Sequence, residues 1–197
     1  MRYSVECLFI QVKLLRMSAL KIVRLGHPAL RRRSSVVHKS EFVTPAFQRF
    51  LDDLVETCVS ANGVGIAAPQ VDISKRVIVV NVDPANPRYP EKGNFLATII
   101  INPRVVKRSW AVVEDWEGDL SADIRGLVPR AKTCRVVGLD RHGQAVRYDL
   151  TGFPARVFQH EIDHLDGIFL IDRVKRKDSL TETAEWERQL TRRNKSP

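Results

Sequence analysis

The sequence predicts an α+β fold: one domain of mostly antiparallel strands, with a helix carrying the pattern H-E-x-x-H and a further helix near the C-terminus. Three observations predict it. Two segments with apolar residues at three- and four-residue spacing lie far apart in the chain, and short β-rich runs fill the interval between them. Asp140-Arg141-His142-Gly143 stands between two of those runs, a hairpin signal that makes antiparallel neighbours. No repeat, low-complexity tract or long linker divides the 197 residues, a length that buries roughly 70% of the unfolded surface in a single core.

Residues 1–16 form an extension whose apolar patch is broken by Glu6, Gln11 and Lys13 and lacks the small-residue cleavage site of a secretory signal. Met17-Ser-Ala-Leu reads like a natural start, so the extension is either an upstream start or an organelle-targeting stub. From Thr44 to Asn62 the chain is helical. Thr44 caps it, Pro45 fits its first turn, and Phe47, Phe50, Leu51, Leu54, Val55 and Cys58 recur on one face until Asn62-Gly63 stops it.

Strands are expected at Arg76 to Val82 and Ala97 to Ile101, around a loop holding Pro84, Pro87, Pro90 and Gly93. Further strands are expected at Val105 to Val113, leading towards Trp116, then Thr133 to Leu139 and Gln144 to Leu150. The second helix runs from about Phe153 to Leu165, with Pro154 near its start and Asp166-Gly167 at its end. A third begins at Ser179, where Ser179 and Glu182 match a capping box. The domain boundaries expected are 17–172 for the folded unit and 173–197 for a basic C-terminal helix and tail.

Composition narrows the function classes. The net charge of +9 invites a nucleic-acid reading, but the basic excess sits in residues 1–40 and 173–197, and the middle is faintly acidic. Two basic ends read as solvated faces, not as a sequence-specific nucleic-acid binder. With 44% hydrophobic and 28% charged residues, the chain is neither disordered nor membrane-spanning, and no apolar run approaches ~18 residues. Cys7, Cys58 and Cys134 form no C-x-x-C pair, which excludes a disulfide scaffold and a zinc ribbon. A reducing compartment fits, cytoplasmic or, if residues 1–16 are a targeting stub, an organelle.

The strongest chemical signal is His160-Glu161-Ile162-Asp163-His164. Four residues advance a helix by roughly 400°, so both imidazoles point the same way, one turn apart, as two ligands of one metal ion need. Ala155, Phe158, Ile162 and Leu165 give the opposite face to the core. Two exposed histidines on a charged helix would be the plainer explanation, but this helix is apolar and holds two of only five histidines.

A third ligand is then required. Cys58 and Cys134 read as small buried hydrophobes, while Glu114, Asp115, Glu117 and Asp119 are carboxylates that spacing alone does not choose among. Gly63-Val64-Gly65-Ile66-Ala67-Ala68 matches a dinucleotide fingerprint in letters only, since a helix precedes it and Pro69 stands where the phosphate-binding helix should be running. Its glycines instead permit close backbone approach, with Gln70 as a hydrogen-bonding candidate.

Three segments together make the chain resemble the peptide deformylases over about Ile22 to Arg173. Gly63-Val-Gly-Ile-Ala-Ala-Pro-Gln70 fits that family's G-x-G-x-A-A-x-Q, and Glu117-Gly-Asp-Leu-Ser121 fits E-G-C-L-S with one change. Gln159-His-Glu-Ile-Asp-His164, continued to Gly167, fits Q-H-E-x-D-H-x-x-G. Gly26-His-Pro-Ala-Leu-Arg31 and Leu127-Val-Pro-Arg130 support the match. A zinc endopeptidase would share H-E-x-x-H but not the other two motifs.

The resemblance implies antiparallel sheets around a central metal-binding helix and a hydrolase that frees formate from the N-formylmethionine of new polypeptides. It implies one divalent metal, iron(II) or zinc with cobalt or nickel as substitutes, held by His160, His164 and the residue at the cysteine position, here Asp119. Glu161 would carry the proton. Gln70 and the backbone N–H of Leu120 would meet the oxyanion. Gly63, Gly65 and Gly118 would offer backbone to a peptide lying as an added strand, with Arg125 in the segment lining its entrance.

The chain departs from the family twice. Asp119 replaces the cysteine, and Ala122-Asp123-Ile124-Arg125 lacks the usual proline and is one residue short. A carboxylate keeps the thiolate's charge but is a harder donor. A divergent hydrolase of another acyl amide, or a paralogue that binds metal or nascent chains without turnover, therefore stands as the alternative. The retained Glu161, Gln70 and Gly65 favour an enzyme. The basic tail carries an expectation of contact with ribosomal RNA.

Overall fold

The structure, a computed structural model, describes residues 18–86, 92 and 94–193. The extension at 1–16, Met17, Cys7, Pro87, Pro90, Gly93 and the end of the tail lie outside the described residues. The first helix, α1 (Pro45–Ser60), forms where its capping residues require. Thr44 Oγ1 accepts from the N–H of Phe47, Pro45 opens the first turn, and Asn62 turns the chain away at φ 51°.

Its apolar stripe lies on one face of a five-stranded antiparallel sheet. In spatial order the strands are β1 (Gly65–Ala67), β2 (Val77–Val82), β3 (Phe95–Arg108), β6 (Thr133–Leu139) and β7 (Ala145–Thr151). β2 is buried on both sides. Val77 and Val79 meet Leu51, Leu54 and Cys58 of α1, whereas Ile78, Val80 and Val82 meet Ala155, Phe158, Ile162 and Leu165 of α2 (Gly152–Leu165). That alternation places the H-E-x-x-H helix in the middle of the molecule.

Two expectations are corrected in the sheets. Ala97 to Ile101 and Val105 to Val113 are not separate strands: β3 runs straight through Pro103. A register shift between Ile101 and Arg104, with Asn102 at φ 52°, lets the proline sit in the strand without donating to the ladder. The chain breaks instead at Ser109-Trp110-Ala111, and β4 (Val112–Asp119) begins there. The second correction is β5 (Ala122–Ala131), a strand that the sequence pattern does not announce. β4, β5 and the short β8 (Thr181–Glu182) form a separate three-stranded sheet over the other side of α2.

The β6–β7 hairpin is as expected, with Asp140 Oδ1 accepting from the N–H groups of His142 and Gln144 at 2.8 Å each. The C-terminal helix, α3 (Thr183–Arg193), starts later than Ser179. Ser179 makes no capping box; its hydroxyl donates to the carbonyl of Arg176 and accepts from the N–H of Leu127 on β5, and Glu182 belongs to β8. Among the described residues, no helix is long and apolar enough to cross a membrane.

Candidate metal centre

α2 is buried on every side, because the five-stranded sheet covers its apolar face and β4 and β5 cover the other. His164 is 1% exposed, and His160, Glu161 and Asp163 are also buried. The two imidazoles stand one turn apart with Nε2 facing Nε2 at 3.3 Å. The end of β4 delivers the third group. Asp119 Oδ2 lies 3.0 Å from His164 Nε2 and 3.4 Å from His160 Nε2, and the three donor atoms fall within 4.8 Å of one another.

These donors suit a cation better than they suit each other. Of the three, Asp119 Oδ2 is buried and makes no hydrogen bond among the described residues. Two ring nitrogens and a carboxylate oxygen that converge this closely compete for the same protons, whereas one divalent ion satisfies all three. Glu117 fixes the tautomer. Its Oε2 is 2.9 Å from His160 Nδ1, so that nitrogen donates and Nε2 offers its lone pair to the centre.

Glu117 is in turn held by arginines. Arg130 reaches both its oxygens at 2.9 Å, and Arg156 Nη1 reaches Oε1 at 2.7 Å. Arg130 also pairs with Asp163, which Arg173 grips from the other side. Burial opposes the charge on Glu117, yet Arg130 and His160 outweigh it and hold its carboxyl well below the usual range. Asp119 is likewise held low by His164 and His160 against its burial. Burial pushes Glu161 up to about 7 against the opposing pull of His160 and His164.

The expected site residues are brought together around one cavity of about 230 Å³. Gly63, Gly65, Gln70, Gly118, Leu120, Arg125 and Glu161 line it with His160 and Asp119, and His164 lies behind them. Gly65 lies against Glu161: a Cβ there would sit 2.4 Å from Glu161 Oε1. Arg125 is buried, with its guanidinium 4.2 Å above the Trp186 ring of α3. Leu120 and Ser121 form the two-residue turn between β4 and β5.

The other candidates lie elsewhere. Glu114 is exposed, and Asp115 faces Lys92 at 3.9 Å. Cys58 and Cys134 are buried and do not join the three converging donors, Cys58 lying beneath the Gly63 carbonyl and Cys134 near that of Ala155. Sequence reasoning missed Arg156 and the part played by Arg130. Arg156 stands one turn before His160 on an otherwise apolar stretch, a signal that could have been read.

A family model described as polypeptide deformylase matches residues 19–179. The chain belongs to the polypeptide deformylase family. It is 44% identical over 177 residues to peptide deformylase 2 of Nostoc sp., covering 89% of this chain and 97% of that one. It is 39% identical over 165 residues to peptide deformylase 1 of Nitrosomonas europaea, covering 82% and 92%. The Met-Ala-Ser-bound crystal structure of a class I type b peptide deformylase from Acinetobacter baumannii superposes with a TM-score of 0.78 at 39% identity, over 81% of this chain and all of that one. Deformylases are metalloenzymes, and Asp119, His160 and His164 give this member a possible metal site.

Proposed function

We propose that this deformylase is active and removes the formyl group from N-formylmethionyl ends of newly made polypeptides. The observation that carries the reading is the convergence of Asp119, His160 and His164 on one point, with Glu161 against Gly65 in the same cavity. Two histidines and a carboxylate are a donor set that zinc and iron(II) both accept, and cobalt or nickel can substitute. When bound, such an ion polarises the formyl carbonyl and lowers the pKa of its water towards ~7.

The chain's own groups do the rest. Glu161, poised near neutrality by burial, takes a proton from the attacking water and passes it to the leaving amine. The backbone N–H of Leu120, next to Asp119 in the turn, receives the developing oxyanion. Gly63, Gly65 and Gly118 leave backbone open along the cavity for an extended peptide, and Arg125, braced on Trp186, shapes its entrance. The thiols of Cys58 and Cys134, neither in a disulfide, suit the reducing cytoplasm. Basic residues of the C-terminal segment would add salt-sensitive contact with ribosomal RNA, which co-sedimentation at two ionic strengths tests.

Formate release from a formyl-Met tripeptide, measured after separate reconstitution with iron(II), cobalt(II) and zinc, tests the activity. Release above the metal-free control with at least one ion is expected. No release with any of them would overturn it.

A further inference from the structure

Gln70 and Asp119 are forty-nine positions apart in sequence and in direct contact in the fold. The Gln70 side chain is 1% exposed, and all its polar capacity towards the cavity is engaged. Its Oε1 accepts from the N–H of Ala67 at 2.8 Å, which fixes the orientation of the amide, because that backbone donor requires an oxygen. Its Nε2 then donates to Asp119 Oδ1 at 2.9 Å and to Ser121 Oγ at 3.3 Å. Both amide protons are thereby committed.

Asp119 shows the other half of the arrangement. Its Oδ1 accepts from Gln70 Nε2 and from the N–H of Ser121 at 2.8 Å, while its Oδ2 accepts no hydrogen bond and faces both imidazoles. Two donors on one oxygen turn the carboxylate so that only the other oxygen reaches the centre. A thiolate, with a single ligating atom, offers no such second oxygen.

We propose that Gln70 is a positioning residue in this chain: its amide anchors Asp119 Oδ1 and so makes Asp119 a one-oxygen ligand, leaving Leu120 as the oxyanion donor. The role rests on the metal site proposed above and requires no other part of the deformylation reading.

The test compares four proteins: the full chain, Gln70→Leu, Asp119→Cys and the double variant. Cobalt(II) affinity is read by chelator competition, the cobalt absorption spectrum reports ligand geometry, and formate release is measured across a range of metal concentrations. In the Asp119 chain, Gln70→Leu is expected to weaken cobalt binding roughly 10–100-fold, as loss of an outer-shell partner does, and to change the spectrum. Formate release, reduced at low metal, should recover as metal is raised.

In the Asp119→Cys background the freed amide can reach the oxyanion. The same substitution there should leave cobalt affinity within about threefold and lower kcat by on the order of 10²–10³. Gln70→Glu keeps the acceptor for Ala67 but sets a carboxylate against Oδ1, so it should weaken cobalt binding at least as much as Gln70→Leu while the fold is kept. The proposal is overturned if Gln70→Leu and a folded Gln70→Glu bind cobalt as tightly as the chain itself. It is also overturned if kcat at saturating metal falls 10²-fold in the Asp119 background. Absence of formate from all four proteins, with the affinity pattern as stated, removes the deformylase reading and supports the positioning role. No cobalt binding by the unaltered chain overturns both.

Discussion

Replacing Glu117 with glutamine tests the polar network under the metal centre. Glu117 is 5% exposed, and each of its oxygens receives two donors. Oε1 takes Arg130 Nε and Arg156 Nη1, and Oε2 takes Arg130 Nη2 and His160 Nδ1. Whichever way a glutamine amide is turned, its NH₂ faces two N–H groups. One charge is lost, and two guanidinium groups stay buried.

Breaking a buried ion pair from one side costs about 3–5 kcal/mol. Arg130 keeps Asp163, and Arg156 keeps the carbonyls of Val113 and Val128 at 2.7 Å each, which favours the lower end. For a chain of this size that corresponds to a fall in Tm of roughly 6–12 °C. His160 also loses the acceptor that fixes its tautomer, so metal affinity should drop roughly 10–100-fold. Thermal unfolding of the metal-free protein isolates the first effect, and cobalt titration of the folded variant reads the second. A Tm within about 2 °C of the parent would refute the stabilising role of the network. An unchanged metal affinity would refute the orientation of His160 through Glu117.

Other perturbations are equally direct. Asp119→Ala should strip bound metal during dialysis, whereas Asp119→Cys should retain or raise formate release; unchanged metal content in the alanine variant, measured by atomic absorption, contradicts the ligand assignment. Gly65→Ala would place a methyl group 2.4 Å from Glu161 Oε1 and 2.8 Å from its Cγ, displacing that side chain. Turnover should fall by about 10²–10⁴ with metal content kept, and a rate near the parent's would show Glu161 unneeded in its present place. Glu41 is held below its ordinary range first by the Lys75 ammonium at 2.6 Å and then by the His38 N–H. Since its folded pKa lies below the unfolded value of about 4.3, its stabilisation is present above that pH and disappears as pH falls through the folded value. Glu41→Gln should therefore lower stability at pH 7 by about 1 kcal/mol at most, read as a small fall in Tm, and leave it unchanged near pH ~2; equal loss at both pH values would show the effect is not ionic.

The helices were legible where local chemistry decides them. Thr44, Pro45 and Asn62 bound α1 within two residues of expectation, because capping and the positive φ at Asn62 act over one turn. β3 is not legible as one strand, since Pro103 inside it is tolerated only because β3 carries a bulge there, and the strand against which that bulge forms is remote in sequence. β5 was hidden for a different reason. Arg125 and Arg130 stand on opposite faces of the strand, buried at 3% and 6%, and break the apolar alternation that identifies a strand. Those arginines are tolerated inside because Glu117, Asp163 and Trp186, from three other elements, meet them.

The site divides along the same line. His160, Glu161 and His164 share one helical turn, so their convergence follows from helix geometry alone. Asp119 was singled out from four nearby carboxylates only by its place in the middle motif; the fold then separates them, with Glu114 exposed, Asp115 on Lys92, Glu117 behind His160 and Asp119 at the imidazoles. What no position-by-position reading could reach is the division of labour within the Asp119 carboxylate. A thiolate offers one ligating atom, but a carboxylate offers two oxygens, and the unused one in a buried site needs a donor. Gln70 and the Ser121 N–H supply two. Replacing cysteine by aspartate at this position therefore changes the work available to Gln70 as well as the ligand, and the two residues should be varied together.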